Sequence, residues 1–145
     1  MNAQEELDKI PRYEALIESK SEEVLRMDSL AQKMTAALGG ESVSGSRNLD
    51  PLGTAIVRKN TLIQEIARIQ AEYDKQKEFL SGIIDGLMKP VHIKILYGVY
   101  FHQKKLIQVA NIIGYSYRHT QDLHTEALQT VQKIMDEIES SHKIS

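Results

Sequence analysis

Apolar positions recur at intervals of three and four residues along most of the chain, and no segment shows the period of two that a half-buried strand requires. The pattern predicts an all-α protein. It is clearest between Leu52 and Leu87, where Leu62, Ile66, Ile69, Tyr73, Leu80, Ile83 and Leu87 keep a heptad-like repeat with Gln76 as the one polar interruption. An earlier stretch, Leu7, Ile10, Leu16, Ile17, Val24, Met27, Leu30, Ala31, Met34 and Leu38, offers it a partner helix. Each is expected to run about 35 residues, roughly 50 Å at 1.5 Å per residue. Between them lies a Gly-, Ser-, Asn- and Pro-rich stretch at residues 39–53, which reads as a loop. Residues 1–88 are therefore expected to form a long antiparallel helical hairpin, coiled-coil-like. Pro11 is expected to bend or delay its first helix, and Asp50-Pro51 to cap and open its second. Apolar stripes of this kind are core in the first instance. Their exposed edges also suit a spacer, or a dimerisation arm in which two hairpins form a four-helix bundle.

Residues 89–138 carry a denser set of signals. Pro90 should start a helix with Val91, Ile95 and Val99 on one face, Leu96 and Tyr100 beside it, and an end near Phe101-His102-Gln103. A second helix follows from Lys105, with Leu106, Val109, Ala110 and Ile113 inward. Gly114-Tyr115-Ser116 reads as a tight turn in which Gly114 takes a positive φ and Ser116 caps what comes next. The third helix should begin at Tyr117, with Thr120, Leu123, Ala127, Val131 and Ile134 inward. A short helix, a three-residue glycine turn and a longer helix form a helix-turn-helix pattern. Residues 139–145 are expected to be a tail.

Composition narrows the class. The chain has 145 residues, 41% hydrophobic and 26% charged, which suits one domain or a small domain with an extension. Cysteine is absent, which excludes disulfides, thiolate metal sites and cysteine nucleophiles. No apolar run approaches the ~18 residues of a membrane span, and the acidic start MNAQEELDKI lacks a signal-peptide pattern, so a cytoplasmic protein without membrane partners is expected. Charge is uneven: residues 89–133 hold six Lys and Arg against two Asp and Glu, a balance of +4 in a chain of net charge −2. That segment favours a polyanionic partner.

The run LIQVANIIGYSYRHTQDLHTEAL at 106–128 resembles region four of bacterial sigma factors, with an apolar-x-x-apolar-Ala helix, a Gly-x-Ser turn and an early arginine in the next helix. Over nearly its whole length the chain is similar to phage and prophage transcriptional regulators of the ArpU/RinA type. In those, an N-terminal helical hairpin, a Ser/Gly-rich loop and a sigma-like helix-turn-helix follow one another. The resemblance implies control of phage late or packaging genes in a bacterial host cell, through double-stranded DNA, RNA polymerase or both. The chain departs from the family pattern at Val99 and Thr120, and at Lys105, where Thr or Ser usually opens the helix. Its third helix carries one arginine near its start, Arg118, where several are usual.

The outward stripe of the third helix is Arg118, Gln121, Asp122, Thr125 and Gln129. Arg118 suits guanine, Gln121 adenine, and Asp122 the amine of cytosine. Lys104 and Lys105 suit backbone phosphates, and Ser116, Tyr117 and His119 flank the stripe. Against this, Arg118 and Asp122 are four residues apart and pair equally well as solvated surface charges. The leading expectation is a sequence-specific DNA-binding regulator acting as a dimer through the hairpin or through Val131, Ile134, Met135 and Ile138. The alternative is a protein-interaction module that docks on RNA polymerase or another partner through the hairpin. Catalysis, metals and cofactors are not expected. His119 and His124, five apart, face different sides of a helix, no His-Glu-x-x-His occurs, and the Gly-x-Ser lacks the preceding strand of a nucleophile elbow.

Overall fold

The computed structural model describes residues 1–39 and 46–144. These form five helices: α1 (Ala3–Gly39), α2 (Ser46–Asp85), α3 (Pro90–Leu96), α4 (Leu106–Ile113) and α5 (Tyr117–Ile144), with no strand among the described residues. None of these helices is long and apolar enough to cross a membrane.

Pro11 does not delay the first helix, and two other helix boundaries differ from those the pattern suggested. α1 begins at Ala3 and stays helical across Pro11. An interior proline costs about 3 kcal/mol. Burial of Ala3, Leu7 and Ile10 just upstream holds the segment in place against that cost. α2 begins at Ser46, so Pro51 and Gly53 are helical instead of lying in a loop that runs to residue 53. Extending a formed helix adds a hydrogen bond per residue without a new nucleation cost, which favours the longer element. The centre of the expected loop, residues 40–45, lies outside the described residues. α5 runs on to Ile144, so residues 139–144 are helical and not a tail. Its apolar face keeps repeating through Val131 and Met135, both fully buried.

The chain divides into two compact units, Met1–Arg12 with Tyr73–Ser145, and Tyr13–Glu72. The division crosses α1 and α2 themselves and does not fall at residue 88. In the unit of residues 13–72, Lys20 pairs with Glu65 at 2.7 Å and Lys59 with Asp28 at 2.5 Å, so the two helical segments run antiparallel. The Lys20 ammonium holds the Glu65 carboxyl below the usual range. Met27, Ala55, Leu62 and Ile69 are the buried apolar side chains of this unit.

In the other unit, the start of α1 is stitched into the C-terminal helices. The Ala3 N–H donates to Gln132 at 2.7 Å, and Gln76 donates to both the carbonyl and the carboxylate of Glu6 at 2.9 and 2.8 Å. The polar interruption in the α2 stripe is thereby satisfied. Leu7, Ile10, Leu80, Ile84, Val131 and Met135 are fully buried here. Val131 and Met135 are thus core of their own unit, which corrects the expectation that they form a dimer face. A second layer gathers Ile95, Val109 and Leu123, one from each of α3, α4 and α5, with Val91, Val99, Leu106 and Ile113 packed against them. Lys89 and the buried His92 both face Glu126, the latter at 3.1 Å, and tie the start of α3 to α5.

After Leu96 the backbone widens into a π-helical turn, Tyr97–Phe101, closed by the His102 N–H on the Tyr97 carbonyl at 2.9 Å. Gly98 lies within this turn, where an added Cβ would stand 2.9 Å from Val109 Cγ2. The β-branched Val109 has little rotamer freedom to yield. Gly98→Ala is therefore expected to lower stability by about 1–3 kcal/mol. Combined with Val109→Ala it should cost less than the sum of the two single changes, as read by urea denaturation. Strict additivity would mean that the two helices do not meet at this point.

Candidate nucleic-acid interface

α4 opens at Lys105, which has no acceptor with which to cap. The Gln108 side chain supplies the cap from inside the helix, accepting the Lys105 N–H at 2.9 Å. This compensates for the missing Thr or Ser. α4 closes on Gly114, whose φ of 80° lies in the left-handed region, and both the Gly114 and Tyr115 N–H groups donate to the Ala110 carbonyl at 3.0 and 3.1 Å. Ser116 then caps α5, its Oγ accepting the His119 N–H at 3.1 Å. A positive-φ glycine and a serine cap therefore fix the turn that aims α5. Thr120, where the resemblance calls for Val or Ile, is fully buried, and its hydroxyl donates to the Ser116 carbonyl at 2.8 Å. A buried hydroxyl is tolerated because its one donor is spent on the turn.

Every candidate contact residue is exposed: Lys104, Lys105, Ser116, Tyr117, Arg118, His119, Gln121, Asp122 and Thr125. On the opposite side of α5, Thr120, Leu123, Ala127 and Val131 are buried. Seven residues separate Arg118 from Thr125, about 10 Å along the helix, close to the ~12 Å width of a major groove. Thr125 is partly committed, donating to the Gln121 carbonyl at 3.2 Å. The Tyr115 and His119 rings meet edge to face at 5.0 Å and border the stripe. Arg118 and Asp122 are both exposed and form no ion pair with each other among the described residues.

No protein family, no curated relative and no solved structure matches this chain.

A polar network behind the stripe was not legible in the sequence. The Gln4 amide donates to Asp8 at 3.0 Å and to the Tyr100 hydroxyl at 2.9 Å. Tyr100 lies 2.8 Å from His124 Nε2, and the two rings stack at 5.8 Å. With the Tyr100 oxygen accepting from Gln4, its proton goes to an unprotonated His124 Nε2. Burial pushes the tyrosine up to about 12 and lowers the histidine, against the weaker opposing pull of Asp8 on the latter. Periodicity hinted only that His124 is partly buried. Its partners lie 24 and more residues away and come together only in the folded unit.

The pH consequence has a definite sign. His124 titrates lower in the folded chain than its ordinary value of 6.5, so the unfolded chain binds more protons between the two values. Its neutral form supports full stability above pH 6.5, and that support is lost as the pH falls through the folded value. Thermal stability should therefore drop between pH 7.5 and 5.5. The drop should shrink in His124→Gln, which keeps an acceptor for Tyr100 but does not titrate. An equal drop in both proteins would assign the effect to another group.

Proposed function

We propose that this chain is a sequence-reading DNA-binding transcriptional regulator of the ArpU/RinA phage type, with α4, the Gly114–Ser116 turn and α5 acting as a sigma-region-four-like helix-turn-helix. One observation carries the reading: α5 leaves a capped glycine turn with its core face buried and Arg118, Gln121, Asp122 and Thr125 all exposed along its first three turns. In the proposed mechanism these side chains enter the major groove, while Lys104 and Lys105 at the mouth of α4 bind phosphates. A single arginine and a few lysines bind weakly at physiological salt, so a dimer is needed.

Residues 1–88, read as a helical hairpin, supply the dimer contact. Support comes from a second stripe on α2, Ile56, Asn60, Ile63, Ala67 and Gln70. It repeats at heptad spacing beside the buried one and carries no charge, with Ile56 44% and Ile63 45% exposed. A lone asparagine in such a seam selects register and partner number. The same uncharged stripe favours the second reading, in which the hairpin docks on RNA polymerase or another protein and DNA contact is secondary.

The test is selection from a random duplex library at ~150 mM salt, where specific sites exceed non-specific ones by orders of magnitude. The expected result is an enriched motif, palindromic if the dimer reads two half-sites. No enrichment from protein shown to be helical would reject the DNA reading and favour docking through the hairpin.

A further inference from the structure

Between α3 and α4 lies a cavity of about 380 Å³. Its walls are aliphatic, formed by Ile93 on α3 and by Val109, Ile112 and Ile113 on α4. Lys94, Tyr97, His102 and Lys104 supply the polar part of the lining, with no carboxylate in it among the described residues. The Tyr97 hydroxyl donates to Asp85 at 2.6 Å, so it competes for neither lysine. Ile112 is 64% exposed, an apolar side chain left uncovered beside the opening.

The volume lies within the ~300–1,000 Å³ of small-molecule sites, and those sites combine an apolar lining with a few convergent polar groups. Here the polar side chains in the lining are two lysines and a histidine beside Tyr97. Charge complementarity selects an anion, and the aliphatic walls select what the anion carries. We propose that this cavity binds a small organic carboxylate with an aliphatic tail, the tail against Ile93, Val109, Ile112 and Ile113 and the carboxylate held by Lys94 and Lys104 through charge-assisted hydrogen bonds. A consequence follows for the proposed function, and it rests on that reading. Lys104 serves both the carboxylate and a DNA phosphate, so an occupied cavity weakens DNA binding. The ligand then acts as an effector that releases the regulator from DNA.

The test uses decanoate below its micellar concentration, with 1-decanol as the uncharged control, titrated into the full chain carrying ¹³C-labelled isoleucine methyl groups. Saturable one-to-one binding is expected, with methyl shifts concentrated at Ile93, Ile112 and Ile113. The double variant Lys94→Glu/Lys104→Glu, both positions exposed, should weaken decanoate at least tenfold and leave decanol within twofold. Shifts spread evenly over the isoleucines, or decanoate bound equally well by the double variant, would overturn the proposal. The binding arm contains no DNA, so its result stands whether or not the chain binds a duplex. If the chain does bind a duplex, saturating decanoate should lower that affinity in the parent protein, and unchanged affinity would overturn the effector role.

Discussion

Replacing Arg118 by alanine is expected to weaken binding to the selected duplex by roughly ten- to a hundredfold, the ~1–3 kcal/mol of a bidentate guanine contact. Binding to an unrelated duplex should change far less. The contrast comes from the position of Arg118, exposed on the first turn of α5. Lys104→Ala is the counterpart. A lysine serving a phosphate carries no sequence information, so its loss should lower affinity about equally for every duplex and reduce the salt slope by about 1. Fluorescence anisotropy at several salt concentrations separates the two behaviours. An Arg118→Ala protein that loses cognate and unrelated DNA in the same proportion would make Arg118 a phosphate contact and move base reading elsewhere.

Ile95→Ala should have the largest effect on stability. Ile95 is fully buried, and its cluster draws Val109 from α4 and Leu123 from α5, so the truncation empties the point where three helices meet. Large-to-small changes of this type cost ~2–5 kcal/mol, a large part of the ~5–15 kcal/mol that holds a typical domain. Ile95→Val, which removes one methylene group, should cost only ~0.5–1.5 kcal/mol. Urea denaturation followed by helical circular dichroism measures both. If Ile95→Ala shifted the midpoint no more than Ile95→Val, the three helices would not share this core. DNA binding by Ile95→Ala should fail in parallel with unfolding, since the turn that aims α5 depends on α4 being seated.

Much of the helical layout is legible in the sequence. Leu106, Val109, Ala110 and Ile113 were expected inward on the second short helix, and all are buried or half-buried. Gly114 and Ser116 were expected to make a left-handed turn and a cap, and they do so with φ 80° and a 3.1 Å bond. These features were legible because their causes are local: a helix face, a residue without a Cβ, a hydroxyl three residues before an orphan N–H. Gly98 was missed for the complementary reason. Nothing beside it in the chain requires a glycine, and only Val109, eleven residues on and across a helix crossing, excludes a side chain there. Pro11 and Pro51 stand inside helices because burial beside Pro11 and helix continuity at Pro51 outweigh their local cost.

The all-α class, the buried stripe of α2 and the turn between α4 and α5 follow from local sequence, since helical period and turn chemistry act over only a few residues; the expected stripe of α1 holds at Leu7, Ile10 and Met27 but leaves Leu16 and Leu30 exposed. The tertiary structure alone decided that residues 1–12 and 73 onward form one unit. It likewise decided that Gln4, Tyr100 and His124 share a network, and that Val131 and Met135 are core and not interface. Each of these depends on which amphipathic face meets which. An apolar stripe records only that it must be covered, and packing and polar satisfaction across long sequence separations select the cover.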